Sequence, residues 1–345
     1  MFDTVDSFLS SLNSLPTAET KFQEAAQARQ NQLTKPHGAL GRLEDIAIWL
    51  AGWQGRECPK LDEISAFVFA GNHGVVEEGV SPFPSSVTEQ MVQNFEQGGA
   101  AINALTSVFG HQLSVIPLSL DEPTKNIAAS PAMTMEETLE AINAGAQAVE
   151  QCTADLVYFG EMGIGNTTIA STLAAATCGG CGAEWAGPGT GLSSKGISLK
   201  AEVIDRALAL HNLKTDKVNR EGLQNPFTIM RLVGGREHAA IMGAVVAARL
   251  KHLPVLLDGF VVTAAVAPLS LLKVNAFDHC LAAHCSAEPG HQRLLDFLWL
   301  DPLLSLDMRL GEGTGAALAV EIIKGAVTTH SQMATFAEAS ISNRD

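Results

Sequence analysis

The chain has 345 residues, of which 46% are hydrophobic and 17% charged, and it carries a formal net charge of -15. That length and composition describe a well-buried globular chain of about two domains and exclude a disordered one. The acidic balance argues against nucleic acid or an anionic membrane as partner, since either favours a basic face.

Met1 to Asp6 lack a basic region followed by an apolar core, so no secretory signal is expected. The uncharged run from Met162 to Ala183 is full of Gly, Thr and Ser, and the run from Gly259 to Leu272 is shorter than the ~20 residues a spanning helix needs. A soluble, cytoplasmic protein is the expectation. The 6 cysteines (58, 152, 178, 181, 280, 285) then read as reduced thiols rather than a disulfide framework.

Thr17 to Gln32 reads as a helix ending before Lys35-Pro36, and Leu43, Ile46 and Leu50 recur on one face of the next. Ala66 to Ala70 is a short apolar strand running into Gly71-Asn72-His73-Gly74. The loop Glu78 to Pro84 follows, before a helix carrying Gln90, Met91 and Phe95. Gln112 to Leu118 reads as a strand, and Thr134 with Glu137 has capping-box spacing at the start of a helix reaching about Gln151. Leu156 to Phe159 is a strand that enters the turn Gly160 to Thr168 and an alanine-rich helix. Arg236 to Leu250 is helical, Pro254 to Leu257 is a strand ending at Asp258-Gly259, and Leu304 to Leu306 reads as the last strand before Glu312. This alternation predicts an α/β fold with a parallel sheet and crossover helices. Ligands of such sheets gather beyond the carboxyl ends of the strands. That rule places Asn72, His73, the 161–168 turn, Asp258 and Glu312 on one rim.

The Gly160 to Thr168 turn has the makings of a phosphate cradle: small residues, free backbone N–H groups, threonine hydroxyls and a helix N-terminus behind them. It is neither a Walker A loop nor a dinucleotide fingerprint, because the Gly-Lys-Ser/Thr and the third glycine are missing. Gly187 to Lys195 is a second such turn, with Lys195 offering a point charge to a phosphate oxygen. Glu312, flanked by Gly311 and Gly313, is a carboxylate that a ligand can approach closely, and it reads as a proton acceptor. His279-Cys280, His284-Cys285 and Cys178-x-x-Cys181 have metal-ligand chemistry, but their separation along the chain speaks against zinc, and no metal site is expected. His73 is foremost a turn histidine with a candidate site role.

Taken in order, Gly71-Asn72-His73-Gly74-Val75, Glu78 to Ser81, Gly160 to Thr168, Gly187 to Gly191, Gly234-Gly235-Arg236-Glu237, Leu257 to Phe260 and Gly311 to Ala316 resemble the nicotinate-nucleotide:dimethylbenzimidazole phosphoribosyltransferases. The resemblance runs from about Lys35 to Ile341. It implies a Rossmann-like parallel sheet plus a small helical domain built from the chain ends, with residues 1–57 and about 330–345 in the small domain and 58–329 in the catalytic one. It also implies a homodimer, no cofactor, and transfer of the 5-phosphoribosyl group of nicotinate mononucleotide to 5,6-dimethylbenzimidazole with inversion, in cobalamin biosynthesis. Carried over by motif, Glu312 is the catalytic base. Glu161, Gly163, Gly165 and Asn166 line the ribose phosphate, Gly189, Thr190, Gly191 and Lys195 hold the phosphate, and Asp258 sits near the ribose. Ser81, Phe83, Gln90 and Met91 wall the flat base. Asn72, where many relatives have Asp, and Pro188 inside the second turn leave base preference open.

The rival readings are a phosphoribosyltransferase acting on another aromatic base, a nicotinamide-dinucleotide oxidoreductase, and a non-catalytic nucleotide-binding module. An enzyme using phosphoribosyl pyrophosphate is disfavoured because the chain has no Asp-Asp pair. A pure phosphate binder gains nothing from Glu312.

Overall fold

The structure, a computed structural model, describes residues 1–214 and 225–342. Its centre is one sheet of six parallel strands: β1 (Ile64–Ala70), β2 (Gln112–Pro117), β3 (Leu156–Met162), β4 (Val255–Leu257), β5 (Cys280–His284) and β6 (Pro302–Leu304). Their order across the sheet is β2-β1-β3-β4-β5-β6. The sequence of β1, Ile-Ser-Ala-Phe-Val-Phe-Ala, is buried at every position, as a strand covered on both faces must be.

Helices α1 (Val5–Ser11), α2 (Thr20–Gln32) and α3 (Arg42–Gln54) precede the sheet. Helices α4 (Ser86–Glu96) and α5 (Ala101–Phe109) join β1 to β2, and α6 (Met135–Glu150) joins β2 to β3. The long crossover from β3 to β4 holds α7 (Asn166–Cys178), α8 (Gly182–Trp185), α9 (Ser194–Leu210), α10 (Pro226–Val233) and α11 (Arg236–Leu250). Helix α12 (Phe260–Val266) follows β4, α13 (Gly290–Leu298) lies between β5 and β6, and α14 (Thr314–Gln332) follows β6.

Successive strand residues point to opposite faces, and the two faces carry separate cores. Phe67, Phe69, Val157, Phe159 and Leu257 pack with α6, α7, α11 and α12. Ile64, Ala66, Val68, Leu156, Tyr158 and Leu256 pack with α3, α5 and α14. Helices α6 and α11 meet backbone to backbone, since a Cβ at Gly145 would overlap the Ala240 carbonyl and one at Gly243 that of Ile142. The capping box read from Thr134 and Glu137 is formed: Glu137 N–H donates to Thr134 Oγ1 at 3.1 Å, and Thr134 N–H to Glu137 Oε2 at 2.7 Å.

The chain ends meet. Leu33 bridges Thr335 in antiparallel fashion, and the Arg29 guanidinium donates to the carbonyls of His330 (2.8 Å) and Ser331 (3.0 Å). Helix α1 goes elsewhere, burying its Phe8 and the following Leu12 in the core beside α6.

Four local readings change. The helix expected from Thr17 begins at Thr20. Strand β3 runs on to Met162, so Gly160 and Glu161 are strand residues paired with Val68 and Phe69 rather than turn residues. The strand expected at Leu304 to Leu306 lies at Pro302–Leu304, where His284 pairs with Leu304. Strand β5 was hidden in the sequence because Cys-Leu-Ala-Ala-His has neither β-branched nor aromatic strand formers, and its His and Cys residues suggest metal chemistry instead.

Candidate active site

The carboxyl ends of β3, β4 and β5 and the loop after β6 surround a cleft of about 540 Å³. Strand β3 delivers Glu161 to its wall, and the chain then turns through Gly163 and Gly165 into α7. Gly165 takes a φ of +93, which a side chain rarely tolerates, and Asn166 and Thr167 at the start of α7 line the cleft. Asn166 Nδ2 donates to Glu161 Oε2. Thr88 Oγ1 of α4 accepts the Ile164 N–H at 3.1 Å and fixes the turn from the other side. Gly163, Asn166 and Thr167 line the cleft opposite Gly189 and Thr190, so the two glycine turns face one ligand space. Gly165 stands behind the turn against Val76 and His73, and Gly191 is exposed past the rim.

The third turn holds Glu312. Gly311 (φ 86), Glu312 (φ 62) and Gly313 (φ 86) are three successive left-handed residues. For a glutamate that conformation costs about 1 kcal/mol, so the surrounding structure has to impose it. Two neighbours do so. A Cβ at Gly160 would stand 2.5 Å from Gly313 N, and closer still to the Glu312 carbonyl, so strand β3 presses on the turn's backbone. Asp258, at the end of β4, accepts N–H bonds from Gly313 (3.2 Å) and Ala316 (2.8 Å) and caps α14.

Glu312 is 5% exposed. One carboxylate oxygen accepts the Ile102 N–H in the first turn of α5, and Oε2 has no partner. Burial raises its carboxyl above the ordinary range, and the Ile102 amide partly opposes this. Leu310 and Gly311 line the same cleft as Gly163 and Gly189, whereas Glu312, the next residue, is not on its wall. Burial also lifts Glu161 well above the usual carboxylate range, helped by the charges of Asp258, Glu237 and Glu312. Asp258 is pushed up to about 7 by burial against the pull of its amide donors.

Lys195, in the first turn of α9, is exposed. The lysine that reaches the second turn is Lys200, 1% exposed, with Nζ donating to Thr167 Oγ1 (3.0 Å) and to the Gly187 carbonyl (3.1 Å). Burial lowers its ammonium to about 8, while the nearby Glu288 charge works the other way. Arg309 adds a second cation to the wall, its guanidinium donating to the Gly189 carbonyl at 2.7 Å. His284 and Glu288 complete the far side. Asp258, 1% exposed, is not on the cleft wall; its oxygens are committed to the α14 amides. Ser81, Phe83, Gln90 and Met91 lie outside the wall too. Met91 packs against the core that contains Ile102, on the Glu312 side, Ser81 Oγ accepts the Phe83 N–H at 3.2 Å, Phe83 is 46% exposed, and Gln90 is exposed.

A family model described as phosphoribosyltransferase matches residues 15–341. The chain belongs to that phosphoribosyltransferase family. It is 53% identical over 342 residues to the nicotinate-nucleotide–dimethylbenzimidazole phosphoribosyltransferase of Novosphingobium aromaticivorans, covering 99% of this chain and 98% of the relative. It is 50% identical to the enzyme of the same name from Mesorhizobium japonicum, covering 99% of each. Among solved structures, one of the same name from Thermus thermophilus is 38% identical with a TM-score of 0.86, covering 94% of this chain and all of that one. Membership makes the protein an enzyme, and the six-stranded α/β architecture is that of these structures.

Family membership also gives the remaining polar groups a frame. His73 and Glu237 form a buried pair, His73 Nε2 to Glu237 Oε1 at 2.6 Å, with His238 Nδ1 at 3.1 Å from the same oxygen. The two histidines hold the Glu237 carboxyl well below its usual range despite full burial. Their ligating atoms lie within 4.8 Å of one another, close enough for a cation, and Glu237 Oε1 already shares a short hydrogen bond with His73 Nε2. It lies beneath the cradle, because a Cβ on Gly163 would stand 3.1 Å from His73 Nε2 and 3.2 Å from Glu237 Oε1. Cys178 is buried at the end of α7 and Cys181 is exposed, whereas Cys280 is buried within β5 and Cys285 follows that strand. Lys200, Arg309 and Glu288 escaped sequence reasoning because none sits in a glycine-rich motif, and His284 was weighed there only as a metal ligand. No helix among the described residues is long and apolar enough to cross a membrane.

Proposed function

We propose that the protein transfers the 5-phosphoribosyl group of nicotinate mononucleotide to 5,6-dimethylbenzimidazole with inversion, giving α-ribazole 5'-phosphate and nicotinate, as a step in cobalamin biosynthesis. The observation that carries this is Glu312, forced into a left-handed conformation beside the cleft with one oxygen held by the Ile102 amide and the other unpartnered. The pyridinium leaving group is already cationic and departs without a general acid. Attack by one benzimidazole nitrogen creates a cation whose remaining N–H must be shed, and the free Glu312 oxygen accepts that proton. The Gly163 and Gly189 turns, Thr167, Lys200 and Arg309 hold the phosphate and fix the sugar. Glu161, whose carboxyl burial raises well above the usual range, lines the wall where the sugar lies. Asp258 acts through the α14 amides to aim Glu312, which is a positioning role.

The same reading makes the protein a cytoplasmic homodimer with a small helical unit of residues 1–57 and about 330–345. The Leu33–Thr335 bridge supports the second point for α2, α3 and the C-terminal segment, whereas α1 packs beside α6, and Val274 and Trp299, each more than nine-tenths exposed, support a homodimer. The test is incubation with both substrates, with nicotinate followed by chromatography and the anomeric configuration of the nucleotide product by NMR. Absence of nicotinate release, or a β-configured product, would overturn the assignment.

A further inference from the structure

Glu288 lies in the loop between β5 and α13 and turns its carboxylate back into the cleft. Oε1 accepts the Gly189 N–H at 3.0 Å. Oε2 lies so close to Gly187 that a Cβ there would overlap it, and the Glu288 N–H is fixed by Ser286 Oγ at 3.2 Å. The side chain is thus held against the turn that sequence and chemistry assign to an anion, and only 6% of the residue is exposed. Charged and titratable groups reach the same end of the cleft from every side: Lys200 from α9, Arg309 from the loop after β6, His284 from the end of β5 and Glu161 from the end of β3. Lys200 and Arg309 bind the carbonyls of Gly187 and Gly189, so both cations and the carboxylate grip one turn.

An internal carboxylate on that amide is a stand-in for the ligand's own anion. A phosphate group arriving at Lys200 and Arg309 meets this like charge in a poorly solvated cleft, where repulsion at a few ångström is worth several times its value in water. Burial raises the Glu288 carboxyl, and the Lys200 charge, the Gly189 amide and the Arg309 charge oppose the rise. The group is therefore placed to change its protonation state when another anion competes for those partners.

We propose that Glu288 is a specificity residue of the phosphate subsite, holding the Gly189 amide as a carboxylate in the free protein and taking up one proton from solvent when a phosphomonoester binds, then donating its O–H to a phosphate oxygen. The proton returns to solvent when the product leaves. A phosphomonoester accepts that bond, whereas a ligand without the phosphate leaves Glu288 on Gly189 and the cations unanswered. The inference rests on the reading of this cleft as the site of a 5-phosphoribosyl ligand.

Isothermal titration of the full chain with inorganic phosphate and with nicotinate mononucleotide, at about pH 7, below the point near 8 where Lys200 loses its proton, in two buffers of different ionisation enthalpy, counts the protons taken up. The wild type is expected to take up more protons per ligand than Glu288→Gln, the difference approaching one. The variant, which keeps the Gly189 bond without the charge, is expected to bind inorganic phosphate about tenfold more tightly. Equal proton counts, or binding by the variant that is unchanged or weaker, would overturn the proposal. Circular dichroism and Tm establish that the variant is folded; if it is not, the wild type decides alone, because phosphate binding with no proton uptake refutes the idea. A wild type that binds neither ligand refutes the reading of the cleft, and this proposal with it, whereas normal binding with identical proton counts removes only the role of Glu288.

Discussion

Replacing Gly160 with Ala adds one methyl group at the place where strand β3 bears on the turn that holds Glu312. Its Cβ would stand 2.5 Å from Gly313 N, and ordinary contact begins at 3.4 Å, so the 312–313 backbone must retreat by about 0.9 Å, and further at the Glu312 carbonyl itself. Gly160 is not among the residues with positive φ and pairs as an ordinary strand residue with Val68, so alanine brings no backbone strain of its own. The cost in stability is that of overpacking, about 1–3 kcal/mol. The cost in catalysis is larger, because a displacement of about 1 Å in a proton-accepting group lowers the rate by roughly 10². Lys200 is tied to Thr167 and Gly187 rather than to the displaced turn, so KM for nicotinate mononucleotide should change less than threefold, roughly. Steady-state nicotinate release gives kcat and KM, and thermal unfolding reports the fold. A stable Gly160→Ala protein with wild-type kcat would refute the argument that β3 positions Glu312.

Four further outcomes follow from the same geometry. Glu312→Gln keeps the Ile102 bond through its amide oxygen and should lose about 10² or more in kcat with little change in Tm, as removal of a general base requires; near-normal turnover removes Glu312 from the chemistry. Lys200→Met should weaken binding of nicotinate mononucleotide at least about tenfold while Lys195→Met leaves it unchanged, measured by calorimetry, and the reverse result would restore Lys195 to the site. In the pH profile of kcat/KM, activity rises as Glu312 ionises, above the ordinary value of 4.5 because burial raises its carboxyl, and falls as Lys200 loses its proton near pH 8; persistence of the alkaline limb in Lys200→Met would reject that assignment. A chelator should leave turnover unchanged, since the cationic end of the cleft is supplied by Lys200 and Arg309; loss of activity restored by magnesium would reject this.

Much of this protein could be read from residue order, because the signals were local. The Thr134 and Glu137 cap, the bounds of α11 and the unbroken apolar run of β1 depend on a few neighbouring residues, and so do the glycine turns that flank Glu312 and shape the cradle. The alternation of strands and helices was enough to gather those turns on one rim. Tertiary structure decided which side chains reach that rim. Lys195 and Lys200 are both near the second turn in sequence, but five residues at about 100° each separate them by roughly 140° around α9, and the packing of that helix buries one and exposes the other. Asp258 follows the end of β4 as a ribose ligand would, yet its partners are amides of α14 that are distant in sequence. Glu288 lacks any motif and enters the site only because β5, unreadable as a strand, pairs beside β4 and carries the following loop to Gly189. Local order set the backbone turns; the charges that face each other across the cleft were brought together by strand pairing and helix phase, which no short stretch of sequence encodes.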